Sequence, residues 1–252
     1  MWAAAATTLA AAWRCPPISG IGQPEYALHR ISDWLASQGL EPKVAFLRAG
    51  DILAEARNAL QEMSPPSTCV FGDLTNRMPA RTKNIVDAIL TRHRDEQQKN
   101  MQAAQTKKKK RAAKQASERA YLNEVKELFK GEPTASTKAV QSWCQKHKRM
   151  CPVNAHPELA GNNMQLLLSI AGINCFDWSP RGAKRGLLGR SCMAFTAYMR
   201  EVMHTLPSVV VLECVRTYQE EDAKFMLQDH YFSKNKQYFD IGVTIYFFRF
   251  QC

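Results

Sequence analysis

The sequence predicts an α/β protein with a mostly parallel sheet, interrupted by a long basic helical insertion. Short apolar runs that end in glycine or an acidic residue alternate with helical patterns, which is typical of buried parallel strands joined by helices. The 252 residues, 45% of them hydrophobic, are enough to build a large core. Residues 81–130 contain no glycine or proline, which predicts a long helix within the insertion.

Charge and cysteine content narrow the function classes. The net charge of +11, from 34 basic and 23 acidic residues, favours a polyanionic partner such as nucleic acid. Eight scattered cysteines indicate reduced thiols rather than a secreted disulfide scaffold. The apolar, alanine-rich residues 1–14 are too short to span a bilayer and predict a poorly ordered tail or frayed helix, with a targeting segment as the alternative. No longer apolar run occurs, so we expect no membrane span.

A glycine turn comes first in residues 15–80. Gly20 and Gly22 precede Pro24, which suits the first turn of a helix that continues to a C-cap at Gly39. The N–H groups at such a turn have no partner within the helix, so the turn is suited to anions and nucleotide-like groups.

Two predicted strands follow, and each ends at an aspartate. Residues 44–50 lead to Asp51 and residues 68–72 lead to Asp73, with a helix at 54–63 between them. An acid at the carboxyl end of the second strand can accept hydrogen bonds from ribose hydroxyls. The alternative is that both aspartates cap helices.

Residues 81–160 form the predicted insertion. Apolar positions are almost absent between Leu90 and Tyr121, which predicts a solvated helix. The basic run at 107–111 is typical of a nuclear-import signal or a phosphate-binding patch, and we therefore expect a nuclear protein. The alternative is a solvated insertion with no specific partner.

A cysteine and histidine pattern lies at the end of the insertion, at Cys144, His147, Cys151 and His156. Thiolates and imidazoles are suitable ligands for tetrahedral zinc. The spacing matches no standard zinc finger, so the alternative is a reduced helix end that contains these residues without a metal.

A thiol and a carboxylate follow two predicted neighbouring strands. Residues 166–171 predict a buried strand that ends at Gly172, directly before the loop with Cys175. A helix then leads to a strand at 209–212, which ends at Glu213. Carboxyl ends of parallel strands share one edge of a sheet, so these two side chains can converge on one pocket. A buried structural cysteine is the alternative for Cys175.

These motifs together resemble the C5-cytosine DNA methyltransferase family. The resemblance rests on residues 18–25, 49–52 and 71–74, on the Cys175 loop and on the Glu213 strand end, so it covers roughly residues 15–78 and 165–220. It implies a Rossmann-like methyltransferase fold that binds S-adenosylmethionine. The cofactor-binding residues implied are Ser19, Gly20, Ile21, Gly22, Asp51, Ile52, Asp73 and Leu74.

The resemblance also implies an activity, the transfer of a methyl group to C5 of cytosine in DNA. Cys175 would be the nucleophile and Glu213 the acid. Ser179, Arg181, Lys184 and Arg185 are candidates for contacting DNA, and the three basic ones also for activating the thiol. The family's later motifs have no counterpart, so we expect residues 161–252 to be an incomplete catalytic half. A catalytically inactive cofactor- or nucleic-acid-binding protein is the alternative function.

Overall fold

The structure, a computed structural model, describes residues 10–14, 23–39, 43–132, 140–153, 167–172, 175–179, 182, 185–215, 218–238 and 243–250. The helices are α1 (Gln23–Ser37), α2 (Ala54–Met63), α3 (Ala80–Ala103), α4 (Lys107–Lys130), α5 (Cys192–Thr205) and α6 (Glu220–Leu227). The strands are β1 (Ala10–Arg14), β2 (Lys43–Phe46), β3 (Arg48–Gly50), β4 (Cys69–Phe71), β5 (Gln141–Cys144), β6 (Arg149–Pro152), β7 (Leu168–Gly172), β8 (Val209–Val215), β9 (Tyr231–Tyr238) and β10 (Val243–Phe250).

The protein is a mixed α/β structure with two sheets. The larger sheet has the order β2-β1-β7-β8-β10-β9, and the smaller has the order β3-β4-β5-β6. Strands β2, β1, β7 and β8 run parallel, as do β3 and β4. The pairings of β8 with β10, β10 with β9, β4 with β5 and β5 with β6 are antiparallel. The α/β class is therefore confirmed, but instead of one mostly parallel sheet there are two sheets, and each is parallel on one side and antiparallel on the other.

The two sheets are joined through one short path of chain. Leu47 is the single residue between β2 and β3, and its carbonyl oxygen accepts a hydrogen bond from the N–H of Cys69 at 3.1 Å. The Thr68 hydroxyl donates to the carbonyl oxygen of Phe46 at 2.7 Å. One apolar cluster spans the junction and contains Phe46, Ala49, Leu60, Val70 and Leu168. The parallel strands therefore follow each other in the order β4, β3 with β2, β1, β7 and β8.

The insertion is a pair of helices that packs on the core. Helix α3 ends at Ala103 and α4 begins at Lys107, and the two helices pack against each other. Val86, Leu90 and Tyr121 are buried in the main apolar cluster, together with residues of α5 and α6. The prediction of one long solvated helix was wrong, since the chain turns at residues 104–106 and returns.

Glu132 connects the end of the insertion to the rest of the fold. Its Oε2 accepts a hydrogen bond from Arg200 Nε at 2.7 Å and lies 3.0 Å from His204 Nε2, while Thr82 donates to its Oε1. Burial alone would raise the pKa of Glu132, but the bonds from His204, Arg200 and Thr82 outweigh burial and lower it to about 2. The carboxylate therefore ties α3 and α5 to the residues that follow α4.

A buried ion cluster holds β3 against α5. Arg48 is 1% exposed, and its guanidinium contacts both Glu201 and the carbonyl oxygen of Val153. Arg77 lies 3.5 Å from the other oxygen of the Glu201 carboxylate and stacks over the ring of Phe71 at 4.7 Å. Because two buried cations share one carboxylate, its removal would leave both charges without a counterion.

Several predicted elements agree with the structure, and others do not. The helix predicted at 54–63 is α2, and the helix predicted to end near Gly39 is α1, with Gly39 at φ +76°. The predicted tail at residues 1–14 was wrong for its described part, because residues 10–14 form β1, between β2 and β7. Strand β9 was not predicted at all. The strand predicted at 44–50 is divided between β2 and β3.

Candidate functional site

The end of β7 lies beside Glu213 of β8, and β8 continues two residues beyond Glu213, to Val215. Gly172, the last residue of β7, pairs with Glu213 in β8. Cys175 begins a single 3-10 turn, Cys175–Asp177, three residues after Gly172. The structure describes only the backbone of Cys175, and the Cys175 loop therefore starts at the strand edge where Glu213 lies.

Glu213 is a half-buried carboxyl group. It sits in a strand with neighbours on both sides, since it pairs with Gly172 of β7 and with Ile245 of β10. Burial disfavours the charged form and raises the pKa of Glu213 above its usual value. This side chain therefore keeps its proton to a higher pH than an exposed glutamate does, which suits a group that donates a proton.

The chain after Cys175 is fixed by Asp177 and two glycines. Asp177 is 1% exposed, and its Oδ2 accepts hydrogen bonds from the backbone N–H of Ser191, at 2.8 Å, and from the Ser191 hydroxyl. A Cβ on Gly189 would lie 2.0 Å from the Asp177 carboxyl carbon, and one on Gly182 would lie 1.8 Å from the carbonyl oxygen of Phe176. Both positions therefore need glycine for the loop to pack as it does.

A cavity of about 400 Å³ lies beside this loop, and we call it the Asp73 cavity. One part of its wall follows β3 and β4, and the other follows β7 and continues into α5. The lining residues are Ile52, Asp73, Leu74, Thr75, Phe176, Asp177, Arg190, Ser191, Met193 and Ala194. Three residues that the resemblance assigned to the cofactor, Ile52, Asp73 and Leu74, thus share one cavity with the Cys175 loop.

Asp51 and Asp73 each hold the turn that follows them. Asp51 Oδ1 accepts the N–H of Leu53 at 2.8 Å, and Asp73 Oδ1 accepts the N–H of Thr75 at 2.9 Å. Asp73 caps a 3-10 helix, as the alternative interpretation predicted, whereas α2 begins after Leu53 without a side-chain cap. Each bond uses one of two carboxylate oxygens, so the capping role does not prevent Asp73 from accepting a bond from a ligand. Asp51 is buried one residue before the cavity wall.

The insertion contacts the segment between the Cys175 loop and α5. Arg94 donates to the carbonyl oxygens of Leu188 and Gly189 at 2.7 and 2.6 Å. Glu118 accepts the N–H of Leu187 at 3.0 Å. Sequence reasoning missed Arg94 and Glu118, because nothing local distinguishes them from the other charged residues of a helix. The helical pair therefore helps to set the position of one cavity wall.

A second group of reactive side chains lies outside the cavity, and we call it the Cys69 cluster. Cys69, Cys144, His147 and Cys151 place their ligand atoms within 4.8 Å of one another. The sequence grouped three of these residues with His156 and missed Cys69, which lies 75 residues before Cys144 in the chain. The expected helix end was wrong as well, since Cys144 and Cys151 lie on the paired strands β5 and β6.

Some predicted residues lie outside the part of the chain that the structure describes. These are Ser19, Gly20, Ile21, Gly22, His156, Arg181 and Lys184. The segment with the two glycines connects the carboxyl end of β1 to α1. Of the remaining DNA-contact candidates, Ser179 is half-buried and Arg185 is exposed.

Comparison with known proteins identifies no relative. No protein-family model matches the chain, and no curated protein matches it. Among the residues that the structure describes, no helix is both long and apolar enough to cross a membrane.

Proposed function

We propose that this protein is an S-adenosylmethionine-dependent methyltransferase that acts on C5 of cytosine in DNA through a covalent bond to Cys175. The observation that carries the proposal is the Asp73 cavity, which joins Ile52, Asp73 and Leu74 to the loop that begins at Cys175. The cavity residues belong to both halves of the family resemblance, and residues 79–164 separate the halves in the sequence.

The order of the parallel strands supports a Rossmann-like methyltransferase fold. Strands β2 and β3 are counted here as one strand, because only Leu47 lies between them. Numbered along the chain, the five parallel strands are then β1, β2 with β3, β4, β7 and β8. Across the two sheets they lie in the order 3-2-1-4-5. This is the doubly wound order, in which ligands bind at the carboxyl ends of the strands near the point where the order reverses. That point lies between β1 and β7, and the cavity residues follow the carboxyl ends of β3, β4 and β7.

The cavity residues fit the adenosine part of the cofactor. Ile52, Leu74 and Phe176 offer apolar surface for a planar base, and Asp73 offers a carboxylate oxygen for an amino group. The buried Oδ1 of Asp177 has no hydrogen-bond partner among the described residues, although a buried acceptor normally has one.

Cys175 and Glu213 fit the chemistry of a ring that must be activated before it reacts. The thiolate of Cys175 would add to C6 of cytosine while Glu213 donates a proton to N3, which makes C5 nucleophilic. The raised pKa of Glu213 supports this role, because burial shifts the group towards the protonated acid that donates. S-adenosylmethionine supplies the electrophilic methyl group. Loss of the C5 proton to water and return of the N3 proton to the Glu213 carboxylate then restore the ring and release the Cys175 thiolate.

DNA is the partner that the charge favours. A cytosine in a duplex is stacked, so it would have to rotate out of the helix to reach Cys175. Arg185 is exposed near the Cys175 loop, and the basic residues 107–111 are exposed at the start of α4. Both groups are suited to phosphate contacts, which position the protein without reading sequence.

A covalent adduct tests the catalytic proposal. Duplex DNA with 5-fluorocytosine in mixed sequence contexts is incubated with the protein and S-adenosylmethionine, because fluorine at C5 blocks the proton loss that releases the thiol. We expect a complex that survives denaturing electrophoresis with the wild type and with Cys192→Ala, a thiol control. The Cys175→Ser variant should form none, and an equal yield from this variant would refute the assignment of Cys175.

Titration calorimetry separates the enzyme from the inactive alternative. If the wild type binds S-adenosylmethionine but forms no adduct with any fluorinated duplex, the protein is a cofactor-binding module and the catalytic proposal is wrong. If no heat of binding is detected with folded protein, both methyltransferase-derived functions are wrong.

A further inference from the structure

Three cysteines and one histidine from separate parts of the chain surround a single point in the Cys69 cluster. Cys69 begins β4, Cys144 ends β5, Cys151 lies in β6, and His147 lies in the turn between β5 and β6. The Nδ1 atom of His147 is 3.5 Å from Cys69 Sγ, 3.4 Å from Cys144 Sγ and 3.5 Å from Cys151 Sγ. The histidine nitrogen is thus almost equally distant from all three sulfur atoms.

These distances match the edges of a zinc tetrahedron. Zinc bonds of about 2.3 Å to sulfur and about 2.05 Å to nitrogen, at tetrahedral angles, place the nitrogen about 3.6 Å from each sulfur. Hydrogen bonding alone does not explain the arrangement. A neutral imidazole has one acceptor lone pair on Nδ1, so it can accept a hydrogen from one thiol and not from three.

The surroundings orient the donors as a metal site requires. The other ring nitrogen of His147, Nε2, lies 2.9 Å from the carbonyl oxygen of Pro66. An N–H at Nε2 that donates to this oxygen leaves Nδ1 without a hydrogen, and Nδ1 is the atom that faces the sulfurs. A backbone carbonyl oxygen is a usual outer-shell partner of a metal-binding histidine. The backbone N–H groups of Val70 and His147 both donate to Cys144 Sγ at 3.4 Å, which favours a thiolate.

The hairpin of β5 and β6 also lacks an apolar core of its own. Its buried cluster consists of Cys69, Phe71, Cys144, Cys151 and Val153, so three of the five members are cysteines. The hairpin joins the rest of its sheet through one residue pair between β4 and β5, Phe71 with Cys144, and a hairpin by itself is marginally stable in water. The cysteines here are free thiols.

We infer that Cys69, Cys144, His147 and Cys151 bind one zinc ion. A donor set of three sulfurs and one nitrogen favours zinc among the divalent metals. All four ligands come from the protein and the three sulfurs are buried, so no position stays open for water or substrate, and the ion is structural. It fastens the hairpin to β4, the strand that leads to Asp73 four residues after Cys69.

Metal analysis of the purified full-length chain tests the site. Protein made with zinc present and kept reduced should contain about one zinc per chain by mass spectrometry of metals, and little iron. Cys69→Ser and His147→Asn should lose it, whereas Cys192→Ala, a control at a buried cysteine outside the cluster, should retain it. Zinc content unchanged in Cys69→Ser, or folded wild type without zinc, would overturn the inference.

Two measurements on the wild type avoid the risk that a variant fails to fold. Replacement of the bound ion by cobalt should give the visible absorption of a tetrahedral site together with thiolate charge-transfer bands. Trypsin should cut after Lys148 and Arg149, which are exposed in the hairpin, many times faster once a chelator removes the ion. Added zinc should reverse the effect. Equal cleavage rates with and without the chelator would contradict a structural zinc.

Discussion

The Asp73 cavity and the Cys69 cluster lie at opposite ends of one short segment, residues 69–74, and they differ in how their polar atoms are satisfied. In the cavity, Asp177 Oδ1 is buried without a partner among the described residues, and Ile52 is 65% exposed. In the cluster, four ligand atoms face one another within 4.8 Å. The cavity has surface and acceptors left for a ligand, whereas the cluster is closed.

The difference separates a site that exchanges its ligand from one that keeps it. A site that binds and releases a cofactor needs polar groups that can be solvated or unpaired after the cofactor has left. A structural ion needs donors that are already oriented, because its binding free energy becomes part of the folding free energy. Changes in the cluster should therefore reduce stability, and changes in the cavity should reduce affinity with little change in stability.

The largest expected effect is that of Cys144→Ser on stability. The side chain is fully buried and its sulfur receives two backbone N–H bonds, so the variant loses a metal ligand, and the shorter serine side chain holds its oxygen farther from these donors. We expect the free energy of unfolding, measured in urea with zinc present, to fall by more than about 4 kcal/mol. A loss below about 1 kcal/mol would mean that packing alone holds the hairpin.

The next largest effect is expected at the ion cluster between the two sites. Glu201→Gln leaves the buried guanidinium groups of Arg48 and Arg77 without a carboxylate, and we expect a loss of about 3–5 kcal/mol in urea denaturation. Glu221→Gln, at a mostly exposed glutamate 3.7 Å from Lys224, is the control and should change stability by less than about 0.5 kcal/mol. Equal effects of the two substitutions would contradict a stabilising role of the buried ions Arg48, Arg77 and Glu201.

Acid should weaken the attachment of the insertion through Glu132. Its pKa of about 2 lies below the ordinary value of 4.5, so its stabilisation is present above pH 4.5 and is lost as the pH falls towards 2. We expect the free energy of unfolding of the wild type to exceed that of Glu132→Gln by about 1–2 kcal/mol near pH 6. The difference is small because water partly screens the contacts of Glu132 with Arg200 and His204. The two denaturation curves should converge at low pH, and a constant difference would contradict the assignment.

The elements that sequence reasoning found have local causes. The 54–63 helix ends before Pro65, and the strand that leads to Glu213 begins after Pro207. The composition of these segments and the positions of the two prolines therefore locate both elements. The common edge of Cys175 and Glu213 needs only the rule that parallel strands end on the same side of a sheet.

What the sequence did not reveal depends on distant partners. Residues 10–14 contain three alanines, which favour a helix, and they become a strand because β2 and β7 pair with them from about 30 and 155 residues away. Cys69 joins Cys144 only because β4 pairs with β5. The turn between α3 and α4 did have a local signal, since Thr106 accepts the N–H of Lys109 as a helix cap at 3.2 Å.

The smallest expected effect separates affinity from stability within the cavity. Ile52 is mostly exposed, so Ile52→Ala should change the free energy of unfolding by no more than about 0.5 kcal/mol. If its side chain packs on the adenine ring, the loss of about 1 kcal/mol of apolar contact should weaken S-adenosylmethionine binding in calorimetry roughly fivefold. Leu53→Ala is a matched control, because Leu53 is 61% exposed but does not line the cavity. Equal losses of affinity in both variants would place the cofactor elsewhere, because Ile52 lines the cavity and Leu53 does not.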